Sequence, residues 1–481
     1  MRGSEPTAEG AGAPRSEVET TDSRWLFGLF ALLFALSLVL HQVRWFGFEV
    51  FSVHFLVVVA ALWCAVRPTS VPRFLTMLAA EVFSVSLDMP DVGSHTLLVL
   101  VSAACIVAFA GWTALRTRRL PDAGTLFARI APFLRVQLLL VYAVAAVAKM
   151  NTDFFDGAAS CAVALSGQVA WFDPSLLDGA WRIAPAIWGT LAIEVSLPVL
   201  LAVRRTRMLG LAVGGAFHLI LALAGNVPFS AVAVALYVVF LPTDVPSRLR
   251  ALSAERPGLN RWARRARRLG GSSAAFPVAV GCWLAVAVLF SLERNVAGVL
   301  IANGTRLVLV LVVLGGGTLL ALCRTRGGTW VYPARSLRLG HPVFAVGIAL
   351  LVANSLSPYL GLKTESSFTM FSNLGTEQGY WNHTFIPEAV RVFGYQDQLV
   401  RVTDSNDRAL AQRTRDGDRV VRFELERYLR GHPGARASFV AKGAGGKPLT
   451  AGPDSSAPPG ALILDKLVKF RDVRAPQRRG C

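Results

Sequence analysis

The feature that most constrains this chain is a series of long apolar runs, each closed by a short polar break. Stretches such as LFGLFALLFALSLVL at 26–40, LLVLVSAACIVAFAGW at 97–112 and VLVLVVLGGGTLLALC at 308–323 recur along most of its length. Such runs are built for lipid, where every backbone N–H and C=O must be satisfied within the protein. The runs do not alternate as barrel strands do, so the spanning structure is helical. Composition agrees: 53% of the residues are hydrophobic and the mean hydropathy is +0.48.

Eleven segments are drawn as spans: 25–41, 47–66, 73–88, 95–115, 133–149, 185–203, 208–224, 228–241, 276–292, 306–323 and 342–357. The runs at 73–88 and 228–241 are short enough to be re-entrant or tilted. The net charge of +18 does not point to nucleic acid, because the arginines sit in loops between apolar segments. Loops two, four, six, eight and ten carry 21 arginines against four in the odd loops. By the positive-inside rule the N-terminus is then cytoplasmic, and the loop 150–184 and the tail after 357 face outward.

The expected fold class is therefore an all-α polytopic integral membrane protein of about 11 spans, with a small C-terminal extracytoplasmic α+β domain. Residues 1–23 read as a disordered cytoplasmic tail, 24–357 as the multi-span membrane domain and 358–481 as the outer domain. Within that domain QDQLVRVTDSNDRALAQ suggests a hairpin, DGDRVVRFELERYLRG a helix, ASFVAKG and DKLVKFRDV strands, and GAGGKPLTAGPDSSAPPG a linker or long hairpin loop. Abundant arginine and alanine suggest a bacterial source. The six cysteines lie singly, without iron–sulfur, haem or zinc spacing.

Few ionisable residues fall within the apolar runs. Lys149 ends span five in YAVAAVAKMNTDFFDG, with Tyr142 two turns earlier on the same face and Ala145 between them. A lysine at a span end either snorkels to the surface or serves a site. Glu194, in LAIEVSLP, sits near the middle of span six, where a charge costs on the order of 2.5–3.5 kcal/mol unless it is paired, protonated or facing a cavity. His218, in GGAFHLILA, lies about 9 Å below the outer end of span seven, counting 1.5 Å per residue. Each has a bland alternative: helix–helix glue for Glu194, a neutral hydrogen-bonded histidine for His218. His41, His54, His95 and Glu81 have no ligand spacing, so no metal is expected.

The order of the pieces carries a resemblance. RVQLLLVYAVAAVAKMNTDFFDG is followed by LAIEVSLPVLL, then by RTRMLGLAVGGAFHLILALAGNVPFS ending in LYVVFLP. Arg135, Gln137, Tyr142, Lys149, Gly157, Glu194, Phe217, His218 and Phe229-Ser230 together resemble the HTTM domain family, the membrane domain shared with vitamin K-dependent gamma-glutamyl carboxylase. SSFTMFSNLGTE also resembles bacterial members.

The resemblance implies a gamma-glutamyl carboxylase-like enzyme that uses a reduced naphthoquinone of vitamin K or menaquinone type, oxygen and carbon dioxide. It makes Lys149 the base that deprotonates the hydroquinone, with His218 as its catalytic companion. Tyr142, Glu194 and His218 become cofactor-binding residues. The implied partners are the lipid bilayer, a membrane quinone and an unidentified peptide or small-molecule acceptor. Ala148 stands where the animal enzyme has a second lysine, and the outer tail is much smaller than that enzyme's lumenal region. The alternative is a non-catalytic quinone- or lipid-binding protein that presents its outer domain to a partner.

Overall fold

A computed structural model of the chain describes residues 13–45, 52–169, 175, 179–256, 258, 260–261, 264–265, 272–325, 328–333, 336–377, 379–441, 449–452 and 461–474. It is mostly helical with one small C-terminal sheet. Of the eleven drawn segments, 25–41, 73–88, 95–115, 276–292 and 306–323 lie wholly on helices; 133–149, 185–203, 208–224, 228–241 and 342–357 each run one residue past a helix end; and 47–66 is described only from residue 52. Among the described residues, six helices are long and apolar enough to cross a bilayer: Thr21–Val43, Ser94–Thr117, Ala123–Ala148, Ala180–Ala202, Ala275–Leu292 and Gly298–Arg324. A bent pair, Val227–Phe240 and Val245–Glu255, makes a seventh if taken as one span. The helices Val53–Val66, Arg207–Leu223 and Pro342–Leu356 are apolar but shorter than a full crossing. The expected N-terminal tail lies outside the described residues up to residue 12; from Ala13 the chain is helical.

The chain divides into two compact units. The first comprises residues 1–84, 102–138 and 199–347. Its long first helix packs against Val53–Val66 and Val227–Tyr237. Phe27, Phe30, Phe34, Phe74 and Phe127 form an aromatic core with ring centroids 5.2–6.4 Å apart. Gly347 permits a close approach, since a Cβ there would meet Cys105 Sγ at 2.6 Å and Phe133 Cε2 at 2.9 Å. The spans Ala275–Leu292 and Gly298–Arg324 bury only 11% of their most apolar stretch, leaving Leu289, Leu300, Leu307 and Leu311 exposed. An apolar face of that extent requires lipid.

The second unit comprises residues 85–101, 139–198 and 348–481. Its sheet has strands β1 (Leu399–Ser405), β2 (Asp418–Val421), β3 (Ala437–Ala441), β4 (Leu449–Ala451) and β5 (Val473–Arg474), in the antiparallel order β4-β3-β1-β2-β5. Val400, Val402 and Phe439 pack with Leu410, Leu425 and Leu429 of the two helices Arg408–Asp416 and Arg422–Gly431. Leu399, Val421, Phe470 and Val473 form a second core. The period-two alternation of β1 puts neighbours into different cores.

The expected hairpin at 396–412 is instead a strand followed by a helix. Asp407 accepts from the N–H groups of Ala409 and Leu410, and Gly417 closes the helix at φ 71°. The expected helix at 416–431 begins with β2, and the expected strand at 465–473 is helical to Leu467. The expected linker at 443–460 lies outside the described residues except 449–452, which include β4.

Candidate functional site

Lys149 follows the last residue of helix Ala123–Ala148, and its N–H still reaches back to the carbonyls of Ala145 and Ala146. It does not snorkel: its exposure is 3%. Its Nζ donates to Glu194 Oε1 at 3.0 Å and lies 2.9 Å from Oε2, while Glu194 is 7% exposed. The contact to Oε2 is electrostatic only, for that oxygen accepts no hydrogen bond among the described residues. The Phe154 ring stands 5.9 Å from Nζ and is fully buried with Ala162, Val163 and Ile187. Tyr142 is buried two turns up the same helix. Gly157 has no space for a side chain, since a Cβ would meet Ile183 Cγ2 at 2.7 Å.

The stretch after the lysine is held by asparagines. Asn151 is fully buried and caps the short helix Thr152–Phe155 by accepting from the Phe154 N–H. Its Nδ2 donates to the carbonyls of Ala148 at 2.8 Å and Ser372 at 2.6 Å. Asn151 also bridges His383, and Thr384 donates through N–H and Oγ1 to the Met150 carbonyl. Asn382 donates to the Asn373 carbonyl and accepts from the Gly375 N–H. Asn373 spans from the Ala159 carbonyl to the Cys161 N–H. Residues 372–377 and 379–384 thus form a strap bonded to 148–161. Tyr359 packs beside Ala148 and Leu374 under it.

The segment that leads into the strap has an unusual backbone. Ser366, Phe368 and Phe371, and Asn373 at the start of the strap itself, all have φ between 55° and 61°. Non-glycine residues there cost on the order of 1–3 kcal/mol each and persist where their surroundings impose them. Buried hydrogen bonds supply that constraint: Asn354 Nδ2 donates to the Ser366 carbonyl and Ser94 Oγ accepts from the Phe368 N–H. Thr376 and Glu377 are fully buried, with the Thr376 N–H donating to the Glu377 carboxylate.

His383 reads as a neutral, oriented imidazole. Its Nδ1 accepts from the N–H groups of Phe385 and Ile386, which leaves Nε2 to donate to the Val147 carbonyl at 3.0 Å. Burial holds its pKa below the ordinary histidine value, partly opposed by the Val147 carbonyl.

His218 lies in the first unit. It is 1% exposed and ringed by Phe217, Phe229 and Tyr237, with centroids 5.6, 5.1 and 5.8 Å away. Gln137, another residue of the motif chain, accepts from Ser102 Oγ at 2.9 Å in that unit. Lys149, Glu194 and Tyr142 therefore belong to one compact unit and His218 to the other. Cys161 is disulfide-bonded, whereas Cys64, Cys105, Cys282 and Cys323 are free.

Sequence reasoning singled out SSFTMFSNLGTE only by likeness and missed the strap's asparagines, Tyr359 and His383. The available signal was the density of Asn, Thr and Ser in an apolar-flanked segment, residue types suited to satisfying irregular buried backbone.

Apolar spans that need lipid and a buried lysine–carboxylate pair at a span end define a multi-pass helical membrane protein with a polar interior site. Residues 95–244 match the family model of the HTTM domain, a range that contains Arg135, Tyr142, Lys149, Glu194 and His218. No curated protein and no solved structure matches the chain.

Proposed function

We propose that this protein is a multi-pass cell-membrane enzyme of the vitamin K-dependent gamma-carboxylase type, with the Lys149–Glu194 pair as its proton acceptor. The observation that carries the proposal is the buried contact itself, with Glu194 Oε2 left without a hydrogen bond. A buried ammonium and carboxylate are costly to desolvate, and two apolar residues would pack at no such cost. An ion pair buried in the membrane domain, despite that cost, favours a chemical role.

The donor set fits a hydroquinone. Glu194 Oε2 has lone pairs for a phenolic hydroxyl, Tyr142 lies on the same helix face as Lys149, and the Phe154 ring offers an apolar wall. A reduced naphthoquinone bound there would supply, with oxygen, the strong base that removes a glutamate γ-proton ahead of carbon dioxide capture. The protein's own part is proton handling. The Lys149–Glu194 pair is neutral overall wherever its shared proton sits, and it carries one positive charge after accepting another. The strap excludes water from that event, which a strong base requires. His218 keeps in this reading the quinone-orienting role that the family resemblance gives it; its aromatic cage belongs to the first unit. The acceptor is a peptide or small molecule.

The N-terminus is cytoplasmic and the C-terminal domain extracytoplasmic in this reading, with about eleven spans. The arginine asymmetry supports it, and so does the disulfide at Cys161, because disulfides persist in oxidising compartments.

A second reading is a non-catalytic quinone- or lipid-binding protein. It is favoured by the fact that Glu194 is the one hydrogen-bond partner of Lys149 Nζ among the described residues, a pair closed on itself. Oxygen uptake by the purified protein with a reduced naphthoquinone separates the two. The enzyme reading expects uptake and an epoxide product. Quinone binding without uptake would leave only the binding protein.

A further inference from the structure

We infer that Arg207, Arg135 and Tyr332 of the first unit form a binding site for a phosphate-type oxyanion. Arg207 is fully buried and Arg135 is 3% exposed. Arg135 donates Nε to the Val239 carbonyl and Nη1 to the Ser336 carbonyl at 2.9 Å. Arg207 donates Nε to the Leu201 carbonyl at 2.7 Å and Nη2 to the Ala202 carbonyl at 3.0 Å and to Ser336 Oγ at 3.3 Å. Both guanidinium groups therefore bond the same residue, and two like charges share one buried place.

Every acceptor in this set is neutral, and no carboxylate pairs with either arginine among the described residues. Two buried positive charges with no negative partner form an arrangement that burial penalises heavily. The hydrogen bonding is also incomplete. Arg207 Nη1 and the Tyr332 hydroxyl are both enclosed, and neither has a partner among the described residues. The Tyr332 ring covers the Arg207 guanidinium at 4.8 Å, with Phe240 at 5.9 Å. Tyr332 is half-buried and belongs to a stretch without secondary structure.

A phosphate-type oxyanion meets all three deficits. It brings negative charge, an acceptor for Nη1 and a partner for the tyrosine hydroxyl. Guanidinium groups bind phosphate oxygens through directed, charge-assisted hydrogen bonds. The chemistry is shared by a lipid headgroup and by inorganic phosphate. The inference is independent of any quinone reaction.

The test uses the full-length protein in phosphatidylcholine nanodiscs, with melting temperature as the readout. One arm adds inorganic phosphate against chloride at matched ionic strength. The other replaces part of the phosphatidylcholine with phosphatidylglycerol. Stabilisation by phosphatidylglycerol alone identifies a lipid headgroup, and stabilisation by phosphate over chloride identifies a soluble anion; both support the site. Arg207→Gln should weaken the apparent affinity roughly ten- to a hundredfold, the value of a charge-assisted hydrogen bond. Tyr332→Phe should weaken it a few-fold without disturbing the buried arginines, and it decides the matter if Arg207→Gln does not fold. No response of the wild-type protein in either arm, or a response that Tyr332→Phe leaves unchanged, would overturn the inference.

Discussion

At the scale of single residues, the decisive contact is between Lys149 and Glu194. The pair is buried, so its energetics are asymmetric: removing one partner strands a charge, whereas removing both does not. Glu194→Gln should lower stability by about 3–5 kcal/mol, because it breaks a buried ion pair by removing one partner. The double variant Lys149→Met with Glu194→Leu should recover most of that loss. Thermal unfolding of Lys149→Met, Glu194→Leu and the double variant measures the coupling. Additive losses would mean that the two side chains do not act as a pair. The costly positions, Glu194 at mid-span and Lys149 at a span end, were legible in the sequence because apolar surroundings make any charge conspicuous. Their mutual contact was not, since no sequence spacing encodes which helices meet across 45 residues.

At the scale of elements, the strap is bonded to the lysine loop through Asn151 and His383, with Asn382 bracing it internally. His383 gives it a pH dependence. Its folded pKa lies below the unfolded value of about 6.5, so between the two the unfolded chain binds more protons. Stability should therefore fall as pH drops below about 6.5 and be unaffected by this group above it. Protonation at Nδ1 would also break the bonds from the Phe385 and Ile386 N–H groups. His383→Gln should flatten the decline in melting temperature between neutral and acidic pH; an unchanged slope would remove His383 from this role. The helices of the membrane domain were readable from apolar runs, since lipid allows few alternatives. The 396–412 segment was misread, because Asp407 both ends a strand and caps a helix, and a period-two pattern does not announce that change.

At the scale of the whole molecule, the account requires one topology. Reporter fusions at Arg265 and after Gly431 should read cytoplasmic and external respectively, following the arginine asymmetry. The reverse pattern would put the strap and the Cys161 disulfide on the reducing side and remove the environment the proposed chemistry needs. Residues 95–244 are similar to the HTTM domain, and that match does not reach the strap, which begins more than a hundred residues later. Nothing in the sequence order brings SNLGTEQGYWNH to the lysine loop; only the folded chain does so.

The proton acceptor proposed for a bound hydroquinone is the Lys149–Glu194 pair. The most direct measurement compares wild-type protein and Lys149→Ala for quinone binding and for oxygen uptake with a reduced naphthoquinone. Loss of a general base typically costs about 10²–10⁴ in rate, and the lost group acts in the transition state. The account expects uptake to fall by that factor in Lys149→Ala, with binding nearly intact and partial recovery on adding a small amine. Equal uptake by the two proteins, or none by wild type with any reduced quinone, would contradict it.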